Sequence, residues 1–252
     1  MGVLPQPQTK ADRLIRDINR MVLNGRDEVS MMRIRTDVVS LEKASYGDAK
    51  RVLGMLAALD GDLTAVETQF TAAIRHGANP NISHFNYATA LSNLHYMIRA
   101  IEMVEKNLEF VENDPDYLET AFGIYGEAFH IDGMRKVRAQ LQKLDREDIL
   151  GEMMLAKYES LVSLYDNHPD LNWITIAERI DMAAETIRDH GILIRRNTHF
   201  ISDGSFYYSF ELEADVDQVI QLEDEITERI CEMPYSLVDD VICISCSCVS
   251  AA

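Results

Sequence analysis

Residues 48–77 read DAKRVLGMLAALDGDLTAVETQFTAAIRHG. The stretch has the outline of a helical hairpin. A first helix runs over about Asp48–Leu59 and holds the pair Leu53-Gly54, then Ala57. Asp60-Gly61-Asp62 is a tight turn. A second helix then places Leu63, Val66, Phe70 and Ala73 on one face, at helical spacing. Gly77 and, beyond it, Pro80 are stop signals. Small residues at the crossing let two helices approach closely, and a large aromatic fills the space beside them.

Shifting by 34 residues finds a second, weaker unit. Tyr87-Ala88 stands for Leu53-Gly54, Met97 for Leu63, Ala100 for Val66 and Val104 for Phe70. Its turn, Leu94-His95-Tyr96, lacks a glycine. A third unit starts after Asp114-Pro115, a helix cap followed by proline at the first helical position. It has Ile124, Tyr125 and Ala128, an expected turn at Asp132-Gly133, then Met134, Val137, Leu141 and Leu144. That turn would set it about 37 residues from the second unit.

Over residues 46–145 this pattern resembles the tetratricopeptide repeat, with its Leu-Gly pair, Gly-Asp turn and Ala–aromatic–Ala spacing. The resemblance implies stacked hairpins whose first helices line a concave groove, a scaffold that binds proteins and performs no chemistry. Carried over residue by residue, the groove positions are Arg51, Met55, Phe85, Thr89, Ser92, Asn93, Phe122 and Phe129. Met55 and Thr89 stand where members that clamp a C-terminal carboxylate have asparagine, so the implied ligand is an extended peptide or a helix of another kind. An alternative is that the C-terminal helices fold back and fill the groove.

Outside the repeats, residues 1–9 read as a loose arm. Helices are expected at about Lys10–Leu23, with Leu14, Ile15, Ile18 and Val22 on one face, and at Ser30–Ala44. Two more are expected at Glu147–Tyr165 and Asn172–His190, where they would cap the array. After Gly191 the period changes to two. Ile192-Leu193-Ile194 begins a strand, Asp203-Gly204 marks a hairpin, and Phe206, Tyr208, Phe210 and Leu212 form the inward side of a second strand. A helix capped by Asp215 and Gln218 follows, with Val216, Val219, Ile220, Leu222, Ile226 and Ile230 expected inward. Val241–Val249 closes the sheet. The expected fold is therefore mainly α, residues 1–190, with a small acidic α+β module, residues 191–252, of order strand–strand–helix–strand. That order is loosely similar to a small module of uncharacterised bacterial proteins, a resemblance that implies no activity.

Formal net charge is −18, and residues 146–252 hold 22 of the 42 acidic side chains but only 7 of the 24 basic ones. Such a surface repels phosphate backbones, so nucleic acid is an unfavourable partner. No apolar run reaches the ~20 residues of a membrane helix. MGVLPQPQTK has no apolar signal core, and the four cysteines form no spaced disulfide framework, so a cytoplasmic location is expected. Cys243, Cys246 and Cys248 are soft-metal ligands by type, but on a strand Cys243 faces away from the other two. The seven histidines form no metal motif, and no nucleophile elbow or phosphate loop is present. No catalytic residue, metal or cofactor is therefore assigned. Three functions remain: a non-enzymatic adaptor or chaperone-like binder of a protein or peptide; an acidic decoy that blocks a basic nucleic-acid-binding protein; or a metal-dependent enzyme at the C-terminal cysteines. Open strand edges in residues 191–252 lead us to expect a homodimer through that sheet.

Overall fold

The computed structural model describes residues 10–25, 27–202 and 205–249. The expected arm at 1–9 and the Asp203-Gly204 turn lie outside the described residues. α1 (Lys10–Asn24) and α2 (Glu28–Ala44) precede three hairpins: α3 (Tyr46–Leu59) with α4 (Leu63–Arg75), α5 (Pro80–Asn93) with α6 (Met97–Asn107), and α7 (Pro115–Glu127) with α8 (Ile131–Lys143). α9 (Glu152–Asn167) and α10 (Trp173–Asp189) lead into β1 (Ile194–Ser202), β2 (Ser205–Leu212), α11 (Val216–Glu232) and β3 (Ile242–Cys248). No helix among the described residues is long and apolar enough to cross a membrane.

The hairpins repeat at the level of single hydrogen bonds. The amide of Asp62 donates to the Ala57 carbonyl, that of Tyr96 to Leu91 and that of His130 to Tyr125, at 2.9–3.0 Å. Each pair lies 34 residues after the last. Each closes a helix C-terminus through one residue in the left-handed region: Gly61 (φ 77°), His95 (φ 57°) and Phe129 (φ 60°). The third turn is therefore at Phe129, not at Asp132-Gly133, and the third unit keeps the 34-residue step. Gly133 lies in the first turn of α8 because the Tyr125 ring occupies the space where its Cβ would be, 2.3 Å from the ring. The His130 side chain caps α8 by accepting from the Gly133 amide.

Close helix contact explains the small residues of the first hairpin. A Cβ on Gly54 would lie 2.6 Å from the Phe70 ring. Ala73 and Ala88 are fully buried. Each hairpin's first helix also packs on the first helix of the next.

α10 does not continue the stack. It returns to α6 and carries a wholly buried apolar side, including Ile176, Ile180, Ala183 and Ile187. The Asp181 carboxylate accepts from the Met97 amide at 2.7 Å and caps α6 across 84 residues of sequence. The sheet has the order β1-β2-β3, with β1 antiparallel and β3 parallel to β2, and α11 forms the crossover. Phe206, Tyr208, Phe210 and Leu212 face inward as expected. α11 keeps its capping box and seats on Val219, Leu222 and Ile226, with Ile230 half-buried against the same core. Val216 is 63% and Ile220 52% exposed, because the sheet side of that helix is narrower than the run of apolar residues suggests. One apolar core joins α5–α10 to the sheet, and a second joins α1–α4.

Candidate functional site

The face lined by the first helices of the hairpins is where the repeat geometry would place a ligand. Arg51 and Met55 lie on α3, and both are buried. Phe85 is buried beside Tyr117 at 5.2 Å between rings. Phe122 is covered by Tyr158 of α9. Ser92 is buried near the Met97 sulfur. Thr89 and Asn93 are half-buried; the Thr89 hydroxyl donates to the Phe85 carbonyl, as helical threonines do when no partner competes. Phe129 sits at the α7–α8 turn, 4.0 Å from the Phe206 ring of β2. The eight positions are thus spread over three neighbourhoods, and six of them are covered by other parts of the chain.

The cover over Arg51 is α1. Its apolar face, Leu14, Ile15, Ile18 and Met21, is buried in the core shared with α3, where Met55 and Val52 are also buried. The Arg51 side chain is 2% exposed; its Nη2 donates to Asp12 of α1 at 2.9 Å. Nε lies 3.3 Å from Asp48 without hydrogen-bond geometry, and Nε and Nη1 have no hydrogen-bond partner. Asp12 is also close enough to Tyr117 of α7 to add to the burial that lifts this phenol to about 12. At its other side α1 meets β1. α1 therefore packs on α3, with β1 and α2 beside it, and brings the Asp12 charge near Tyr117 of α7. Asp12, Leu14 and Ile18 complete this site. The apolar face was visible in sequence, except that Met21 rather than the expected Val22 is its fourth buried residue; its seat on Arg51, 39 residues away, was not.

The sheet docks elsewhere, along the row of hairpin turns. A Cβ on Gly61 would meet Leu193 at 3.3 Å. His95 accepts or donates at 3.2 Å to the Tyr208 hydroxyl and stands edge-on to Phe210. Phe129 meets Phe206 and His199. The same position in each repeat thus meets successive parts of the C-terminal module. One polar cluster reinforces the seam. Glu127 accepts from Lys157 at 2.8 Å and from Asn197 at 3.0 Å, joining α7, α9 and β1. Burial opposes the Glu127 charge, but Lys157 and His199, with the two hydrogen bonds, hold its pKa at about 2. Burial, with Lys157, lowers His199 to about 4, and burial lowers His95 to about 4. Both imidazoles are therefore neutral at pH 7.

Among the described residues, chemistry-bearing groups elsewhere do not converge on a metal site. Cys243 is exposed while Cys246 is buried and Cys248 half-buried, because neighbours along a strand alternate in facing. No group of three His, Cys, Asp or Glu among the described residues is placed to hold a metal ion. A cleft of about 300 Å³ lies between the turns and residues 191–194, lined by Asp60, Asn93, His95 and Arg188. Arg188 donates through Nη1 to the Leu94 carbonyl at 2.6 Å and lies over the Tyr96 ring, while its buried Nη2 has no hydrogen-bond partner. Comparison with protein-family models, with curated proteins and with solved structures finds no match for the chain.

Proposed function

We propose that the chain is a non-enzymatic protein–protein interaction protein, an adaptor or chaperone-like binder in the cytoplasm, whose tetratricopeptide-like array holds an amphipathic helix on its concave face. One observation carries the reading: that face already holds such a helix, with a carboxylate on a buried arginine and four apolar residues of one side in the core. Helix-in-groove recognition uses these elements, apolar anchors at helical spacing and a charge that sets register. The 34-residue recurrence of the turns supports the repeat-family likeness. The four free thiols accord with a reducing compartment. Self-association through the residue 191–252 sheet belongs to the same reading, since β3 is paired on one side only.

Affinity capture from the native host, with the unaltered chain and Arg51→Ala as parallel baits, tests the reading. A partner held by the first and lost by the second is the expected result. Equal capture by both would move the interaction off this face and overturn it. The decoy reading draws support from Asp217, Asp224, Glu228 and Glu232, exposed on α11. It requires a basic partner released by salt.

A further inference from the structure

α1 is joined to the rest of the molecule unevenly. It follows directly before α2, yet packs more closely on α3 than on α2. Between α1 and α2 lies an open cleft of about 330 Å³ lined by Arg13, Leu14, Asp17, Arg33 and Asp37. Those two helices share one apolar core, in which Leu14 of α1 and Met31, Ile34 and Val38 of α2 are all buried, and are joined at its rim by partly exposed polar contacts, Lys10 to Asp37 and Ser40 at 2.6 Å and Arg33 to Asp17 at 3.3 Å. Such pairs contribute little in water. Between the helices Gly25 takes φ 95°, with open space around it, and Asp27 caps α2 independently of α1. On the α3 side Ile18 is fully buried, and Arg51 is a buried cation that depends on Asp12. Taking α1 away would leave α2 capped but would uncover an apolar strip and a guanidinium with two donors already unsatisfied.

We propose that α1 is an exchangeable occupant of the concave face, masking it until a helix of the same chemistry displaces it. This rests on the reading of that face as a helix-binding groove. The partner is an amphipathic helix carrying a carboxylate two residues before the first of its apolar anchors, spaced as Asp12, Leu14, Ile18 and Met21 are here. A tethered helix acts at a high effective concentration, so the masked groove binds a free helix weakly.

The probe is a labelled peptide of residues 10–24, KADRLIRDINRMVLN, added to the full-length chain. Ile18→Asp in the chain unseats α1 in place and should raise peptide affinity at least ~10-fold over the unaltered chain. A peptide carrying Asp12→Ala should bind the Ile18→Asp chain several-fold less tightly. An Ile18→Asp chain that keeps its helical circular dichroism but binds no better than the unaltered chain overturns the proposal. If that substitution unfolds the protein, hydrogen exchange on the unaltered chain decides. Amides of α1 should exchange at least ~10-fold faster than those of α3 and α5, whereas equal rates would mean that α1 opens only with the whole molecule, which also overturns it. Peptide exchange with no host partner would leave this proposal standing and remove the function above; a host partner on the groove with no exchange would do the reverse.

Discussion

His95 and Phe129 hold a backbone conformation that glycine holds at the equivalent Gly61. For a residue with a Cβ, left-handed φ costs about 1 kcal/mol. Both side chains offset that cost by packing into the sheet, Phe129 against Phe206 and His95 against Tyr208 and Phe210. An unusual order of severity follows. Phe129→Ala loses the aromatic and keeps the strain, for about 3–5 kcal/mol. Phe129→Gly loses the aromatic and relieves the strain, so it should be less damaging by about 0.5–1 kcal/mol. Urea titration of both variants gives the order, and a more stable alanine variant would contradict this account of the turn. These residues also explain what the sequence concealed. A turn without glycine gives no signal, and Asp132-Gly133 gives a false one, so the third repeat looked longer than it is. Gly54 was legible because its Leu-Gly pair stands one turn ahead of Ala57. Gly47 was not, although its contact is the less forgiving one: a Cβ there would lie 2.7–2.9 Å from backbone atoms of Ala73, His76 and Ala78. Backbone cannot rotate away as a ring can. Gly47→Ala should lower stability by about 1–3 kcal/mol, whereas Gly151→Ala, with nothing within 4 Å, should stay within about 0.5 kcal/mol.

Among the elements, alternation made β2 readable, and its inward residues lie where the period of two puts them. Sequence placed a helix at α10 but not what it packs against, so its return to α6 through Asp181 was not legible. The seam between sheet and helices should respond to pH. His95 and His199 have folded pKa values of about 4 against an ordinary 6.5, so the unfolded chain takes up their protons first as pH falls. Their contribution is complete above about 6.5 and is lost as pH falls towards about 4. Asp181, raised by burial to about 6, acts oppositely between about 4 and 6. Two histidines outweigh one aspartate. Unfolding free energy should be lower at pH 5 than at pH 7 by on the order of 2 kcal/mol, and His199→Gln should shrink the difference. A stability that is flat or rises on acidification would contradict the buried, neutral histidines. At the sheet's other edge, Glu223 of α11 accepts from the Cys246 amide at 2.8 Å and so covers an edge-facing donor of β3. Unguarded edges are templates for strand addition. Glu223→Ala should therefore strengthen self-association in sedimentation equilibrium, and added salt should strengthen it further by screening the acidic modules. A variant that stays monomeric at every salt concentration would exclude β3 as the contact.

At the scale of the molecule, three hairpins form a frame that the rest of the chain closes from two sides. The C-terminal module seats on the row of turns, and α1 lies against α3. Repeat arrays leave their end faces and inner face uncovered unless something is supplied to cover them. Here the chain supplies both covers, but of different kinds. The module is fixed by aromatic packing and the Glu127–Lys157–Asn197 cluster, whereas α1 shares the core of α2–α4 and meets α2 across an open cleft rimmed by partly exposed ion pairs. The groove positions named from the sequence were lines of contact along this frame. What the pattern could not carry was their occupancy, since Asp12 and Arg51 are related only through the fold. Function would then depend on α1 leaving. Hydrogen exchange of the full-length chain with and without its captured host partner tests this most directly. Protection should rise in α3 and α5 around Arg51, Met55 and Thr89 while α1 loses protection. Protection confined to α11 and the acidic sheet module, with α1 unchanged, would contradict it.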